Sequence, residues 1–275
     1  MSLLASLPLY HTPAGTAYVD SGGEGVPLVL VHGVGLSHVM WLAQFRALAP
    51  RHRLIALDML GHGASPCPGP QATIEDYASA ALEVIDHLGL TSPVLLGFSM
   101  GALVGRALAI SHPRRLGGLI LLNGVFHRPE AARAAVLERV AQAAELGPEA
   151  NVDAALARWF SPEYAQSHPE TIVHIRKLVI ANDPDTYALS YRLFATQDNH
   201  GADRLNELDL PVLVATGEHD MGSTPAMSIE LVAAIPRARL AIIPAARHMT
   251  PIEQADHVNR LVDDFLDNLS ASPSS

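Results

Sequence analysis

The chain has 275 residues, 49% of them hydrophobic and 17% charged, which excludes extended disorder and suits one large α/β domain. Lys and Arg number 18 against 28 Asp and Glu, a formal charge of −10, and this disfavours nucleic acid and anionic membrane as partners. The single cysteine, Cys67, permits no internal disulfide and sits in a proline-rich turn away from any base.

No apolar stretch reaches the ~20 residues that a bilayer span requires. The short apolar run Leu3–Leu9 lacks the basic residues that precede a secretory signal. The expectation is a cytoplasmic protein that engages neither nucleic acid nor membrane, with homodimer formation left open.

In chain order, short Val/Leu/Ile-rich runs alternate with longer helical patterns, which predicts a mostly parallel central sheet with helices on both faces. The predicted strands are Thr16–Asp20, Leu28–His32, Leu54–Asp58, Val94–Phe98, Gly118–Asn123, Val212–Gly217 and Leu240–Pro244. All but the first read as fully buried. Between them, Thr73–Leu88 places Ile74, Ala78, Ala81, Ile85 and Leu88 near a helical period. From Phe126 to Asn206 the alternation breaks. Helical patterns at Glu130–Leu146, Val152–Phe160, Pro169–Ala181 and Pro184–Thr196 follow one another without a strand. That interval predicts a helical lid, residues 126–206, inserted in a core formed by residues 1–125 and 207–270. The last helix is expected to open on Thr250-Pro251-Ile252-Glu253, a capping box with proline at its first position. A polar, disordered tail is expected to follow, with its boundary at residues 271–275.

Gly97-Phe98-Ser99-Met100-Gly101 follows a buried strand and opens a helical pattern from Ala102 to Ile110. A sharp strand-to-helix turn strains the serine and brings the flanking positions too close for side chains, hence the glycines. Such a turn lifts the Ser99 hydroxyl above the sheet and aims the Met100 N–H at the same space. The run Leu28–His32 ends in a small-residue loop, Gly33-Val34-Gly35, which offers a second free N–H; Val34 is the candidate and Gly35 its rival. Asp220 lies just past Val212–Gly217, placed to orient an imidazole, and His248 lies in the loop after the last strand. Glu218 is the alternative acid. His32 and His62 flank glycines and read as structural, while His38, His127 and His200 lack a carboxylate at a strand end. Trp41, Phe98, Trp159, Tyr187, Tyr191 and Met249, with Met100, are the candidate pocket residues. Arg106 or Arg192 could meet a substrate carboxylate. No zinc-type spacing is present, and no metal or cofactor is expected.

These blocks, His32-Gly33-Val34-Gly35, Gly97-Phe98-Ser99-Met100-Gly101 and Gly217-Glu218-His219-Asp220 with His248, resemble the α/β-hydrolase superfamily, as does Asp58-Met59-Leu60-Gly61-His62-Gly63-Ala64-Ser65. The order Ser99, Asp220, His248 is the order of that fold. The stretch Gly35–Trp41 and Gly222-Ser223-Thr224-Pro225 are similar to 3-oxoadipate enol-lactonases and small carboxylesterases. The resemblance implies a serine hydrolase acting on a small ester or lactone that carries a carboxylate, through a Ser99–His248–Asp220 triad and an acyl-enzyme. Other chemistries on such a triad are carbon–carbon bond hydrolysis and cofactor-free perhydrolysis. A hydrolase-like ligand sensor is the non-enzymatic alternative.

Overall fold

The computed structural model describes residues 7–271. Its strands are β1 (Leu9–His11), β2 (Ala17–Asp20), β3 (Pro27–Val31), β4 (Arg53–Leu57), β5 (Val94–Phe98), β6 (Gly118–Leu122), β7 (Val212–Gly217) and β8 (Ala238–Ile243). They form one sheet in the order β1-β2-β4-β3-β5-β6-β7-β8. The pairs β1–β2 and β2–β4 are antiparallel, and every later pair is parallel.

Burial on both faces explains the continuous apolar runs. Val29, Val31, Ile55, Leu57, Leu95 and Leu119 pack on one side, with helices α2 (Ile74–His87) and α3 (Met100–Ser111). Their neighbours Leu28, Leu30, Leu54, Ala56, Leu96 and Ile120 pack on the other, with α1 (Leu42–Leu48). Adjacent residues of a strand therefore serve opposite cores.

The segment between β6 and β7 holds α4 (Glu130–Leu146), α5 (Glu149–Trp159), α6 (Pro162–Ser167), α7 (Pro169–Ile180) and α8 (Pro184–Thr196), with a 3₁₀ turn over Ala202–Glu207. Asp183 caps α8 by accepting the Thr186 N–H at 3.0 Å, with Pro184 in the first turn. Helix α9 (Pro225–Ala234) lies between β7 and β8, and α10 (Thr250–Glu253) and α11 (Ala255–Ala271) close the chain.

Several expectations change. The exposed strand β1 carries no apolar run long enough to read in sequence. The last strand is not buried: β8 is an edge, and Leu240 and Ile242 are 39% and 37% exposed. The capping box at Thr250 does not form. Its hydroxyl donates to Asn123, the Glu253 carboxylate accepts the Ser161 and Arg247 N–H groups, and the helix breaks at Gln254 before resuming. Helix α11 runs through Ser270 and Ala271, past the expected start of a tail; residues 272–275 lie outside the described residues, as does most of the Leu3–Leu9 run. Among the described residues, no helix is long and apolar enough to cross a membrane.

Phe265 of α11 is 2% exposed and packs beneath Gly118 of β6, where a Cβ would meet its ring at 2.9 Å. Phe265→Ala is expected to cost about 3–5 kcal/mol by urea unfolding, and a loss under ~1 kcal/mol would show that this face of the sheet collapses around the gap.

Candidate active site

Ser99 joins β5 to α3 with φ +56° and ψ −112°, a backbone conformation that costs a non-glycine residue energy. The glycines on either side are required by contact. A Cβ on Gly97 would stand 2.0 Å from the Gly101 carbonyl oxygen, and one on Gly101 would stand 2.1 Å from that of Val31. The turn places the Ser99 hydroxyl 3.1 Å from His248 Nε2. The His248 Nδ1–H donates to Asp220 Oδ2 at 2.7 Å. This arrangement is set by the carboxylate, which can only accept, and leaves Nε2 as the acceptor for the serine proton.

Asp220 is 3% exposed. Burial alone would raise its carboxyl, but His248 and the donors around it hold it below the usual carboxylate range. Gly222 N–H and Ser223 N–H donate to Oδ1 at 2.8 and 2.9 Å. Asn123 Nδ2 donates to Oδ2 at 2.8 Å, beside the histidine. The Asn123 carbonyl oxygen accepts the Thr250 hydroxyl at 2.5 Å, and the Thr250 N–H in turn donates to the His248 carbonyl at 2.8 Å. Asn123 thus ties the loop after β7 to the loop after β8. Sequence reasoning missed it, although its place after the apolar run of β6 marks it as a polar group at the carboxyl edge. Glu218 faces outward and accepts the Ala245 N–H, so it does not compete for the imidazole.

The loop after β3 is held by two neutral histidines. His32 Nδ1–H donates to the Gly33 carbonyl at 2.8 Å, and its Nε2 accepts the Met59 N–H at 3.0 Å. His62 Nδ1–H donates to the Leu60 carbonyl, and its Nε2 accepts the Gly35 N–H at 3.0 Å. The Gly35 N–H is therefore already committed. The Val34 N–H has no acceptor among the described residues, and the Met100 N–H begins a helix, where no intrahelical acceptor exists. Desolvation lowers both histidines, His32 to about 3. Of the other three, His38 does meet a carboxylate at a strand end, Asp58 at 2.9 Å; His127 and His200 meet Glu230 at 3.2 Å and Glu75 at 3.5 Å, which lie on helices. Asp58 ends β4, and burial alone would raise its carboxyl; His38 and the Ala64 N–H keep it low.

A cavity of about 220 Å³ opens from Ser99 and His248, below the ~300–1,000 Å³ of drug-sized sites. Phe98, Trp159, Tyr187, Tyr191 and Met249 line it, as expected. Trp41 does not: it is fully buried behind Phe98, ring to ring at 6.5 Å. Met100 is also outside the lining, with its side chain in the core. Neither predicted arginine reaches the cavity. Arg106 is buried, its guanidinium spent on the Val125, Gln197 and Asp198 carbonyls, and Arg192 is exposed beside a separate groove. Arg128, Arg139 and Arg158 line the cavity instead; they lie in or before α4 and α5, where sequence could not say which face turns inward.

Residues 26–255 match the family described as alpha/beta hydrolase fold. This chain belongs to that family. The hydrolase is 35% identical over 254 residues, 92% of its length and 94% of the relative's, to (E)-2-((N-methylformamido)methylene)succinate hydrolase of Acinetobacter baylyi. It is similar to the enol-lactonase of Burkholderia xenovorans LB400, with TM-score 0.85, 32% identity, and coverage of 94% of this chain and 100% of that one. A thermophilic esterase of Thermogutta terrifontis, solved with malate bound, gives TM-score 0.84 and 30% identity over 96% and 97% of the two chains. The protein is accordingly an α/β-hydrolase enzyme.

Two outcomes test this description. Unfolded His32 takes up a proton near pH 6.5 that the native side chain refuses until about pH 3. Stability should therefore fall with decreasing pH across that window, by about 2 kcal/mol between pH 7 and pH 5 from this residue alone, and a flat urea-midpoint profile would contradict it. Asn123→Ala leaves a buried carboxylate short of a donor and should destabilise the fold by about 2 kcal/mol; a loss under ~0.5 kcal/mol in urea unfolding would deny the clamp any weight.

Proposed function

We propose that this hydrolase cleaves a small ester or lactone through an acyl-enzyme on Ser99, with residues 126–206 acting as a cap over the site. The observation that carries the reading is the continuous chain of hydrogen bonds from Ser99 through His248 to Asp220. His248 Nε2 takes the hydroxyl proton as Oγ bonds to the substrate carbonyl carbon, and Asp220 stabilises the resulting imidazolium. The carbonyl oxygen becomes an oxyanion that accepts the Val34 and Met100 N–H groups, each such donor being worth ~3–4 kcal/mol in the transition state. As the intermediate collapses, the C–O bond to the leaving alcohol breaks and that oxygen takes the proton from His248. Water then repeats the sequence: His248 removes its proton, its oxygen bonds to the acyl carbon, and the bond from that carbon to Ser99 Oγ breaks as Oγ takes the proton back from His248, releasing the acid.

The enol-lactonase and esterase relatives support this substrate class. The Acinetobacter relative, named for a formamido-methylene-succinate, supports a second reading in which the scissile group is an amide. Both use the same steps, differing in whether oxygen or nitrogen leaves.

Ser99→Ala is expected to lower turnover of p-nitrophenyl esters and small lactones about 10⁴-fold or more, and to abolish labelling by a serine-directed fluorophosphonate. Near-normal hydrolysis by the variant would end the assignment of the nucleophile.

A further inference from the structure

Successive peptide units in the loop after β3 are each held by a different side chain. A trans peptide points its C=O and N–H in opposite directions, so fixing one end aims the other. The Gly33 carbonyl accepts His32 Nδ1–H at 2.8 Å and the Leu36 N–H at 3.2 Å, which turns the Val34 N–H away from both donors. Gly33 and Val34 line the cavity, and a Cβ on Gly33 would stand 3.2 Å from Ser99 Cβ. The next unit is held through the Gly35 N–H, which donates to His62 Nε2 at 3.0 Å. The unit after it is held through the Gly35 carbonyl, which accepts Asn182 Nδ2 at 3.0 Å. Gly35 itself has φ +75°, and a Cβ there would meet the Tyr187 ring at 2.8 Å.

The two side chains that grip Gly35 come from different parts of the fold. His62 lies in the loop after β4, buried and neutral; its Nδ1–H donates to the Leu60 carbonyl, so Nε2 presents a lone pair to the loop. Asn182 lies in the turn between α7 and α8, and the same amide nitrogen is 2.9 Å from the Leu178 and Val179 carbonyls at the end of α7. Thr186 braces the histidine side from α8: a Cβ on Gly61 would stand 2.9 Å from Thr186 Cβ, and Thr186 Oγ1 donates to the Gly61 carbonyl at 3.4 Å. Neither His62 nor Asn182 lines the cavity, so any effect on a substrate there passes through the backbone between them.

We infer that His62 and Asn182 are positioning residues for the oxyanion hole, holding the Gly35 peptides so that the Val34 N–H, and not that of Gly35, faces the substrate carbonyl oxygen. This rests on the Ser99 acyl-enzyme reading above. Oxyanion stabilisation depends on donors already aimed when the charge develops. Without the His62 acceptor, the Gly35 N–H is a buried donor that must turn to find a partner, and the adjoining Val34 peptide turns with it. The cost falls on the transition state, since the ground-state carbonyl needs these donors far less. Through Asn182 the helical segment sets the aim of a catalytic donor as well as covering the site.

The test measures kcat and KM for p-nitrophenyl butyrate, and inhibition by a propyl trifluoromethyl ketone. In the ketone adduct Ser99 Oγ bonds to the carbonyl carbon, the serine proton passes to His248, and the carbonyl oxygen becomes an anion like that of the transition state. His62→Leu removes the acceptor and is expected to lower kcat about 100-fold, with KM changed less than about 3-fold and ketone affinity weakened in step with kcat. Asn182→Ala should show the same pattern at about 10-fold. His62→Gln, whose amide oxygen reaches the Gly35 N–H, should recover most of the loss; a glutamine variant as impaired as the leucine one overturns the proposal. So does a loss carried by KM with ketone affinity intact, or kcat retained by either variant while urea unfolding shows lower stability. Should His62→Leu fail to fold, Asn182→Ala at its part-buried turn decides by the same criteria. Failure of the Ser99 reading is distinct: ketone inhibition and fluorophosphonate labelling would then survive Ser99→Ala, whereas failure of this proposal leaves both dependent on Ser99.

Discussion

A carboxylate taken out of water must be surrounded by donors or it will not remain ionised. Asp220 meets that demand with four, drawn from three separated parts of the chain: Asn123 after β6, the backbone of Gly222 and Ser223 after β7, and His248 after β8. Satisfying this one anion therefore draws three adjacent loops together at the carboxyl edge of the sheet. Parallel strands bring those loops to one rim because each strand points the same way, and the strained turn at Ser99 delivers the fourth member from β5. Ser99, Asp220 and His248 stand at the edge where open α/β sheets place their ligands.

What was legible in the sequence follows from the range of the signal. Val94–Phe98 and Val212–Gly217 are found to the residue, because a run buried on both faces declares itself locally. The glycines around Ser99 are equally local, since each is forced by a contact of a few ångströms. Asn123 was not legible as a clamp, because its partners are 97 and 127 residues away. The wrong reading of Thr250–Glu253 has the same origin. Both side chains that would have formed the local cap are taken by other groups, Thr250 by Asn123 and Glu253 by the N–H groups of Ser161 and Arg247. His38 shows the pattern again, its carboxylate partner lying 20 residues away at the end of β4.

Net charge misleads in a similar way. A chain of formal charge −10 lines its cavity with three arginines and one carboxylate, Asp220. Charge summed over a molecule governs its long-range behaviour, whereas affinity in a cleft depends on the few groups that a ligand touches. The two can carry opposite signs without conflict.

The helical segment is hydrogen-bonded to the sheet domain at several points: Trp159 O accepts the Met249 N–H, Asn182 Nδ2 donates to the Gly35 carbonyl, and the Ser190 hydroxyl meets that of Tyr77 on α2 at 2.8 Å. A rigid hinged swing of the whole segment would break these hydrogen bonds and displace the loops that carry His248 and Gly35. Met221, a 62% exposed and unbranched side chain, stands among the residues lining the cavity and can rotate without disturbing the backbone behind it.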